Sequence, residues 1–585
     1  MNLKQNRNKD GRVWLSIVKK YRKDGISKTR TVEKIGWLDE VDPSIEDPIA
    51  YYRAYAKDLT LEEQEEYAAR SITIHPLERI DERTTNRKNL GFAALSDIYH
   101  SLGLDAFFRN RQRHRGFEYS TDAIMRLLVF DRILNPSSKQ AAWSTKDAYF
   151  ESFDFSLDDI YRALTHVATL KDALQRHLNA KIPALYNRDT ELVYYDVTNY
   201  YFEIDEPDDL RKRGVSKEHR PNPIVQMGLL VDRGGLPVAY DLFAGNTLDS
   251  ETLIPVLARI KGSPATAGFR FSRIICVADK GINNSDNTAA LLAKGDGYVF
   301  SKSVRGADQA TQQWVLEESG YRTFDNEGGS AFKIKERFCE RTLNVTVQAA
   351  DKPKGQRKKT RKVTVTEKQV AFWSEKYARR AEVERAEAVA RARGMASHPS
   401  RLKAMLSKTA AKYLIGVTVD DNGVITEAPD LLLFDEERLA KEEAFDGYYV
   451  ISTSESDRSS EEIIDIYRGL WRIEETFRVT KSDLGARPVF LSRQDHIETH
   501  FMICFIALLI LRILQSKTGW RYPAGVIAET LQKASGTYEG DNWWIFDFKN
   551  SVLEDIGDVT GIDFTRRRLT AGNIRSLIGA TKKPG

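Results

Sequence analysis

Residues 191–304 limit the fold most tightly, because their apolar pattern switches period again and again. ELVYYDVTNYYFE (191–203) is rich in Tyr and Val and reads as a strand with Asp196 in its middle. PIVQMGLLVDRGGLPVAYDLF follows as two strands around the Asp-Arg-Gly-Gly turn at 232–235. TLDSETLIPVLARIKG has helical spacing, with Ser and Asp near its start and Gly262 at its end. FSRIICVADKG (271–281) is an apolar strand ending in Asp279, followed by a helix around 285–294 and the short strand GYVFSKS. Three strands in a meander, then helix, strand, helix, strand, predict a mixed α/β sheet with helices on both faces.

Two aspartates in this run need explaining. Burying an isolated carboxylate is costly, so Asp196 requires a partner, a metal ion or an exposed sheet edge. Asp279 lies where a strand gives way to a Lys-Gly turn, and carboxyl ends of strands are where open α/β sheets place ligands. Read alone, Asp196 is equally compatible with a satisfied structural Asp, and a lone Asp at a strand end such as Asp279 is more often a turn or helix cap.

A third acid sits in YRGLWRIEETFRVTK, within a predicted helix from about Ser459 to Leu484. Tyr467, Glu474 and Lys481 are spaced seven apart, so they lie almost along one face, displaced about 20° per step. Arg478 is close to that face, while Arg468 and Arg472 leave at other angles. Ile463, Ile464, Leu470, Ile473 and Phe477 supply an apolar side. Composition alone leaves a salt-bridged outer face and an active site both open.

The flanking regions differ in character. Residues 1–37 hold eleven Lys/Arg and three Asp/Glu, a local net charge of +8, in two alternating stretches that predict a small hairpin. This is either a solvated face or a basic ribbon for DNA phosphates. From about Leu59 to Leu185 the pattern is helical and punctuated by basic clusters. Residues 305–445 are polar, with short predicted strands (YRTFD, FKIKERF, RTLNVTVQ), the basic run DKPKGQRKKTRK and a charged helical stretch from about Glu367 to Arg393. After a further helical segment comes the aromatic stretch GDNWWIFDF and a short basic tail.

Several chemistries find no support. Cys276, Cys339 and Cys504 are scattered without metal or disulfide spacing, which suits a reducing cytosol. HIETH, with His496 and His500, lacks the HExxH order of a zinc protease. No apolar segment near the N-terminus suits a signal peptide, and Phe501–Leu511 is too short to span a bilayer. No Ser or Cys stands beside a suitable base. The expected location is the cytoplasm, with no membrane partner.

Taken in order, YYDVTNYYFE, VADKGINN and WRIEETFRVTK resemble the DDE transposases of bacterial insertion sequences. The branch concerned carries a β-rich insertion in a ribonuclease-H-like domain. Its signature places Tyr, Arg, Glu and Lys at intervals of three, four and seven; here these are Tyr467, Leu470 in place of Arg, Glu474 and Lys481. The resemblance covers roughly residues 190–515, and the N-terminal 185 residues match only in general character. It implies a ribonuclease-H-like mixed sheet flanked by helices, with catalytic core at 189–304 and 446–515 interrupted by an insertion at 305–445. Around it we expect a small basic β region at 1–50, a helical DNA-binding domain at 51–188, and a C-terminal helical and aromatic region at 516–585 for dimerisation or DNA contact.

The resemblance further implies that Asp196, Asp279 and Glu474 are catalytic and hold Mg²⁺ or Mn²⁺, Asp196 bridging two ions. Three carboxylates repel unless cations lie between them, and oxygen ligands suit these hard ions. Two ions about 4 Å apart can activate a water or 3′-hydroxyl and stabilise the leaving oxygen. Tyr467 and Lys481 are expected on DNA phosphate, with Arg478, Arg472 and the insertion's Lys358, Lys359 and Arg361 as further contacts. The implied partners are double-stranded DNA, as terminal inverted repeats and target, and a second copy of the chain on that DNA. Hairpin formation on cut ends, and cleavage by one subunit of the end bound by the other, come with the family. A metal-dependent nuclease without strand transfer and a non-catalytic DNA-binding derivative are the alternatives.

Overall fold

A computed structural model describes the chain except for residues 24–25, 46, 67–76, 78–85, 187, 190, 219, 262–272, 326–330, 348–358, 398–407, 420–424, 428–431 and 584–585. It divides into two compact units, residues 1–81 and 82–585.

In the first unit, β1 (Asn2–Arg7), β2 (Val13–Lys23) and β3 (Ile26–Trp37) form an antiparallel sheet, followed by a helix at Pro48–Glu66. The expected hairpin thus has a third strand, because the polar segment Asn2–Arg7 pairs along Val13–Val18. Leu15, Ile17, Val18 and Ala56 are its buried apolar residues. Trp14 and Trp37 meet edge to face at 5.0 Å, and Arg12 lies over Trp37 while pairing with Asp39 at 2.8 Å.

The second unit opens with β4 (Arg87–Asn89) and a set of helices up to Tyr186. A nine-stranded mixed sheet comes next. Its strands are β5 (Leu192–Tyr201), β6 (Ile224–Asp232), β7 (Pro237–Ala244), β8 (Ile275–Ala278), β9 (Gly297–Lys302), β10 (Arg322–Asp325), β11 (Ala331–Thr346) and β12 (Thr360–Ser374). After a small ribbon of β13 (Thr418–Val419) and β14 (Ile425–Glu427), β15 (Tyr448–Thr453) completes it. The spatial order is β10-β11-β12-β15-β9-β8-β5-β6-β7. β5, β8 and β9 are parallel neighbours, and the other pairs are antiparallel.

Along β5 the period of two sends Leu192, Tyr194 and Tyr200 to one core and Val193, Tyr195 and Val197 to another. The first core is shared with Ile463, Ile473 and Phe477 and with the helix Gln494–Lys517. The second is shared with Leu253 and Leu257 of the helix Leu253–Lys261 and with Leu291 of Ser285–Ala293. Gln494–Lys517 is long and apolar enough to cross a membrane, but it is buried from His496 to Gln515 except at Glu498.

Residues 305–445 widen the central sheet, because β12 pairs with β15 from Lys368 to Trp373. FKIKERF and RTLNVT form one strand, β11, in unbroken register with β12. Glu367–Ser374 is strand, and the charged helix begins at Glu375 and runs to Ser397. Buried Glu367 is tolerated there because Tyr298 Oη donates to it at 3.0 Å and Arg341 at 3.3 Å. At the C-terminus β16 (Ser535–Gly540), β17 (Trp543–Phe546) and β18 (Arg568–Thr570) join β4 in a four-stranded sheet, so GDNWWIFDF supplies the turn and second strand of a hairpin.

Candidate active site

The ladder between β5 and β8 sets Leu192 beside Ile275, Val193 beside Cys276 and Tyr194 beside Val277. Asp196 and Asp279 each stand two residues past its last pair, Tyr194–Val277, and Asp196 feels the Asp279 charge. β8 and β9 pair Ala278 with Phe300, so Asp279 and Ser301 each follow that pair. Ser301 Oγ donates to Asp279 Oδ1 at 2.6 Å, and Tyr467 Oη donates to the same oxygen at 3.3 Å. Burial and the Asp279 charge hold the Tyr467 phenol well above its ordinary pKa.

Asp196 carries the strain of its position. Burial pushes its carboxyl up to about 6, Lys217 and the Val197 amide oppose the rise, and Asp249 and Asp279 add to it. The Val197 N–H donates to Oδ1 at 2.7 Å, and Lys217 Nζ lies 4.0 Å from the same atom. Lys481 Nζ donates to Glu218 Oε1 at 3.4 Å and lies 5.7 Å from the Tyr200 ring. Burial lowers Lys481 to about 8, with Lys217 lowering it further and Asp196 opposing. Arg487 also pairs with Glu218.

The helix carrying Glu474 is not continuous. Ser459 caps a first segment, Ser460–Arg468; a second runs Trp471–Arg478 and passes into a π turn at Val479–Asp483. Between them Leu470, Arg472 and Ile473 donate to Tyr467, Gly469 and Leu470, three residues back rather than four. Tightening from 3.6 to 3.0 residues per turn over three residues rotates the second segment by about 60°. The offset of Glu474 from Tyr467 thus moves from about −20° to about +40°, and the π turn unwinds the helix before Lys481, so the three no longer lie along one line. Gly469 sits at the break because a Cβ there would lie 1.9 Å from Tyr194 Oη.

Tyr467 reaches Asp279, Lys481 pairs with Glu218 and feels the Asp196 charge, and among the described residues no contact joins Glu474 to either aspartate. Glu474 is exposed and makes no side-chain hydrogen bond or ion pair among the described residues. Its neighbour Glu475 accepts from buried Arg512 at 3.1 Å, and Arg512 also donates to Thr476 Oγ1 at 2.7 Å. Arg472 acts on the Tyr194 phenol, and Arg478 lies between Glu475 (4.0 Å) and Asp483 (3.6 Å). Leu470 is half-buried against the first apolar core. Lys359 and Arg361 are exposed at the far end of the β11–β12 ladder, and Lys358 lies outside the described residues.

Among the described residues no three His, Cys, Asp or Glu side chains are grouped so as to hold a metal ion. The aspartate pair nevertheless fits a divalent cation. Two carboxylates follow the paired ends of neighbouring parallel strands, one is raised by burial and by the other's charge, and a lysine supplies the counter-charge.

Residues 211–510 match the sequence model of the transposase DDE domain. The chain belongs to this family. The match includes Asp279, Glu474 and Lys481 and begins C-terminal to Asp196. No curated protein matches the chain.

In this transposase, four residues around the two aspartates are not marked by any pattern in the sequence. Asp249 opens a short turn before a helix and so looks like a cap. Lys217 and Glu218 belong to the polar connection between β5 and β6, where no periodicity singles them out. Ser301 is legible as part of a strand, but only the ladder with β8 places it next to Asp279.

Proposed function

We propose that this transposase cuts DNA at the ends of its own insertion element and joins them to target DNA, using a ribonuclease-H-like core. The observation that supports this reading is the parallel pairing of β5 with β8, each strand carrying an aspartate two residues past the last pair, with the Asp279 charge felt at Asp196. In this reading Asp196 and Asp279 hold Mg²⁺ or Mn²⁺, and Glu474, exposed and unengaged, completes the set when DNA is bound. The bound ions would supply activation of the attacking water or 3′-hydroxyl and stabilisation of the leaving oxygen. Ser301 and Tyr467 fix the orientation of the Asp279 carboxylate. Lys217 neutralises Asp196 in the resting protein, and Lys481 offers a second cation to an incoming phosphate. Leu470 makes no phosphate contact, so the role of the signature Arg passes to other cations. Assembly as a homodimer on two ends follows from the same reading.

The test uses full-length protein and a plasmid carrying the DNA that flanks the gene, with Mg²⁺ or Mn²⁺ and a second plasmid as target. Cleavage at the ends and joined products are expected from wild type. Asp196→Ala, Asp279→Ala and Glu474→Ala, each folded by circular dichroism, should yield neither. Full cleavage by any of them overturns that residue's assignment. Cleavage without joining replaces strand transfer by nuclease action.

A further inference from the structure

Away from the two aspartates, a cavity of ≈ 290 Å³ is lined by residues of 132–139 and by the segment 485–491 that comes after the Glu474 helix. Arg132, Lys139, Arg487 and His500 line it, and no acidic side chain does. Arg132 and Lys139 are each only 7 % exposed, and His500 4 %.

The hydrogen bonding leaves these cations under-satisfied. Lys139 Nζ has one hydrogen bond among the described residues, donated to His500 Nδ1 at 2.8 Å. With Lys139 as the ammonium, that bond places the proton of neutral His500 on Nε2, where the Ala486 carbonyl accepts at 3.4 Å. Arg132 gives its terminal nitrogens to the carbonyls of Leu484, Gly485 and Ser137, while its buried Nε has no partner among the described residues. Asp131 offsets part of the Arg132 charge but is held by Ser137 Oγ and Tyr149 Oη. Burial and Arg132 push Lys139 down to about 7.

We propose that this cavity binds a phosphate group, with Lys139, Arg132 and Arg487 as its cationic donors. A buried ammonium with spare protons and a guanidinium Nε without an acceptor lack one thing, an anion with several acceptor oxygens, and Arg487, paired with Glu218, adds a third cation at the wall. The volume exceeds that of a lone phosphate and leaves room for the groups attached to it. Arg487 ties the cavity to the aspartates, because its partner Glu218 also accepts from Lys481. The occupant is either a DNA phosphodiester or a free phosphate; the DNA source rests on the proposed function, the free source does not.

The experiment compares full-length wild type, Lys139→Met and the exposed-site control Lys376→Met. Melting is followed at pH 7 with inorganic phosphate titrated against chloride at constant ionic strength. Binding of a fluorescent duplex is measured across salt concentrations, with no catalysis involved. Wild type and K376M should show a phosphate-dependent rise in Tm that K139M lacks. If DNA is the occupant, the K139M slope of log binding constant against log salt is also shallower by about 1. Loss of the phosphate effect with an unchanged slope assigns a free phosphate; a shallower slope alone assigns DNA. The same phosphate response in K139M as in wild type, together with an unchanged DNA slope, overturns the proposal. Lys139→Met removes a buried charge without an acid partner, so folding is expected; Arg487→Met is the second variant, with the same expected outcomes.

Discussion

A Cβ on Gly469 would lie 1.9 Å from the hydroxyl of Tyr194, two residues before Asp196 on the same face of β5. The backbone of the broken helix thus rests directly on the strand that presents the first aspartate. Gly469→Ala forces these elements apart and should cost about 1–3 kcal/mol in urea denaturation. Adding Tyr194→Phe, which removes the closest atom, should recover part of that loss. Equal stability of Gly469→Ala and wild type would refute the close approach.

Glu474 and Glu475 are neighbours with opposite duties. Glu474→Gln should leave stability within about 0.5 kcal/mol of wild type and abolish DNA cleavage. Glu475→Gln weakens the ion pair to buried Arg512 and should lose about 1–3 kcal/mol, with cleavage retained below the new melting point. Denaturation curves and end-cleavage assays on the two variants read both effects.

Asp196 makes stability depend on pH in a defined direction. Its folded pKa, raised to about 6, exceeds the unfolded value of about 3.9, so the folded form binds this proton more tightly. Its contribution is neutral below about pH 4, falls as pH rises to about 6 and stays unfavourable above. Asp196→Asn should therefore be more stable than wild type by about 2 kcal/mol at pH 8 and equal to it near pH 4. Lower stability at pH 8 would contradict the buried-charge account.

Mg²⁺ should raise the Tm of wild type at pH 7.5 and lose that effect below about pH 6, as Asp196 takes up its proton. Asp279→Asn should abolish the Mg²⁺ effect at every pH. Tyr467→Phe removes a donor to Asp279 and should weaken the Mg²⁺ response about tenfold in concentration.

Lys217 holds the Asp196 pKa down. Lys217→Gln should therefore shift the acid limb of the cleavage pH profile to higher pH. An unmoved limb with normal folding would remove Lys217 from the site.

Asp196 and Asp279 stand out in the sequence because each breaks a local rule: a charge inside an apolar strand, and an acid where a strand ends. The strand and helix alternation of 191–304 likewise follows from periodicity, which needs no distant contact. The sequence did not reveal that residues 305–445 extend the central sheet, since pairing Lys368 with Thr453 joins segments far apart in the chain. Nor did it reveal Ser301 beside Asp279 or Lys217 beside Asp196, which come from a ladder register and a folded-over loop.

The helix of Glu474 marks the boundary most clearly. Its residues, apolar side and Ser459 cap are written locally, so the sequence by itself determined that a helix forms there. Whether seven-residue spacing keeps one face was decided by tertiary structure. The Tyr194 hydroxyl beneath Gly469 and the Arg512 guanidinium behind Glu475 come from other elements, and the turn tightens between them. Local periodicity sets which side chains a helix offers; packing against the sheet sets the angle at which it offers them.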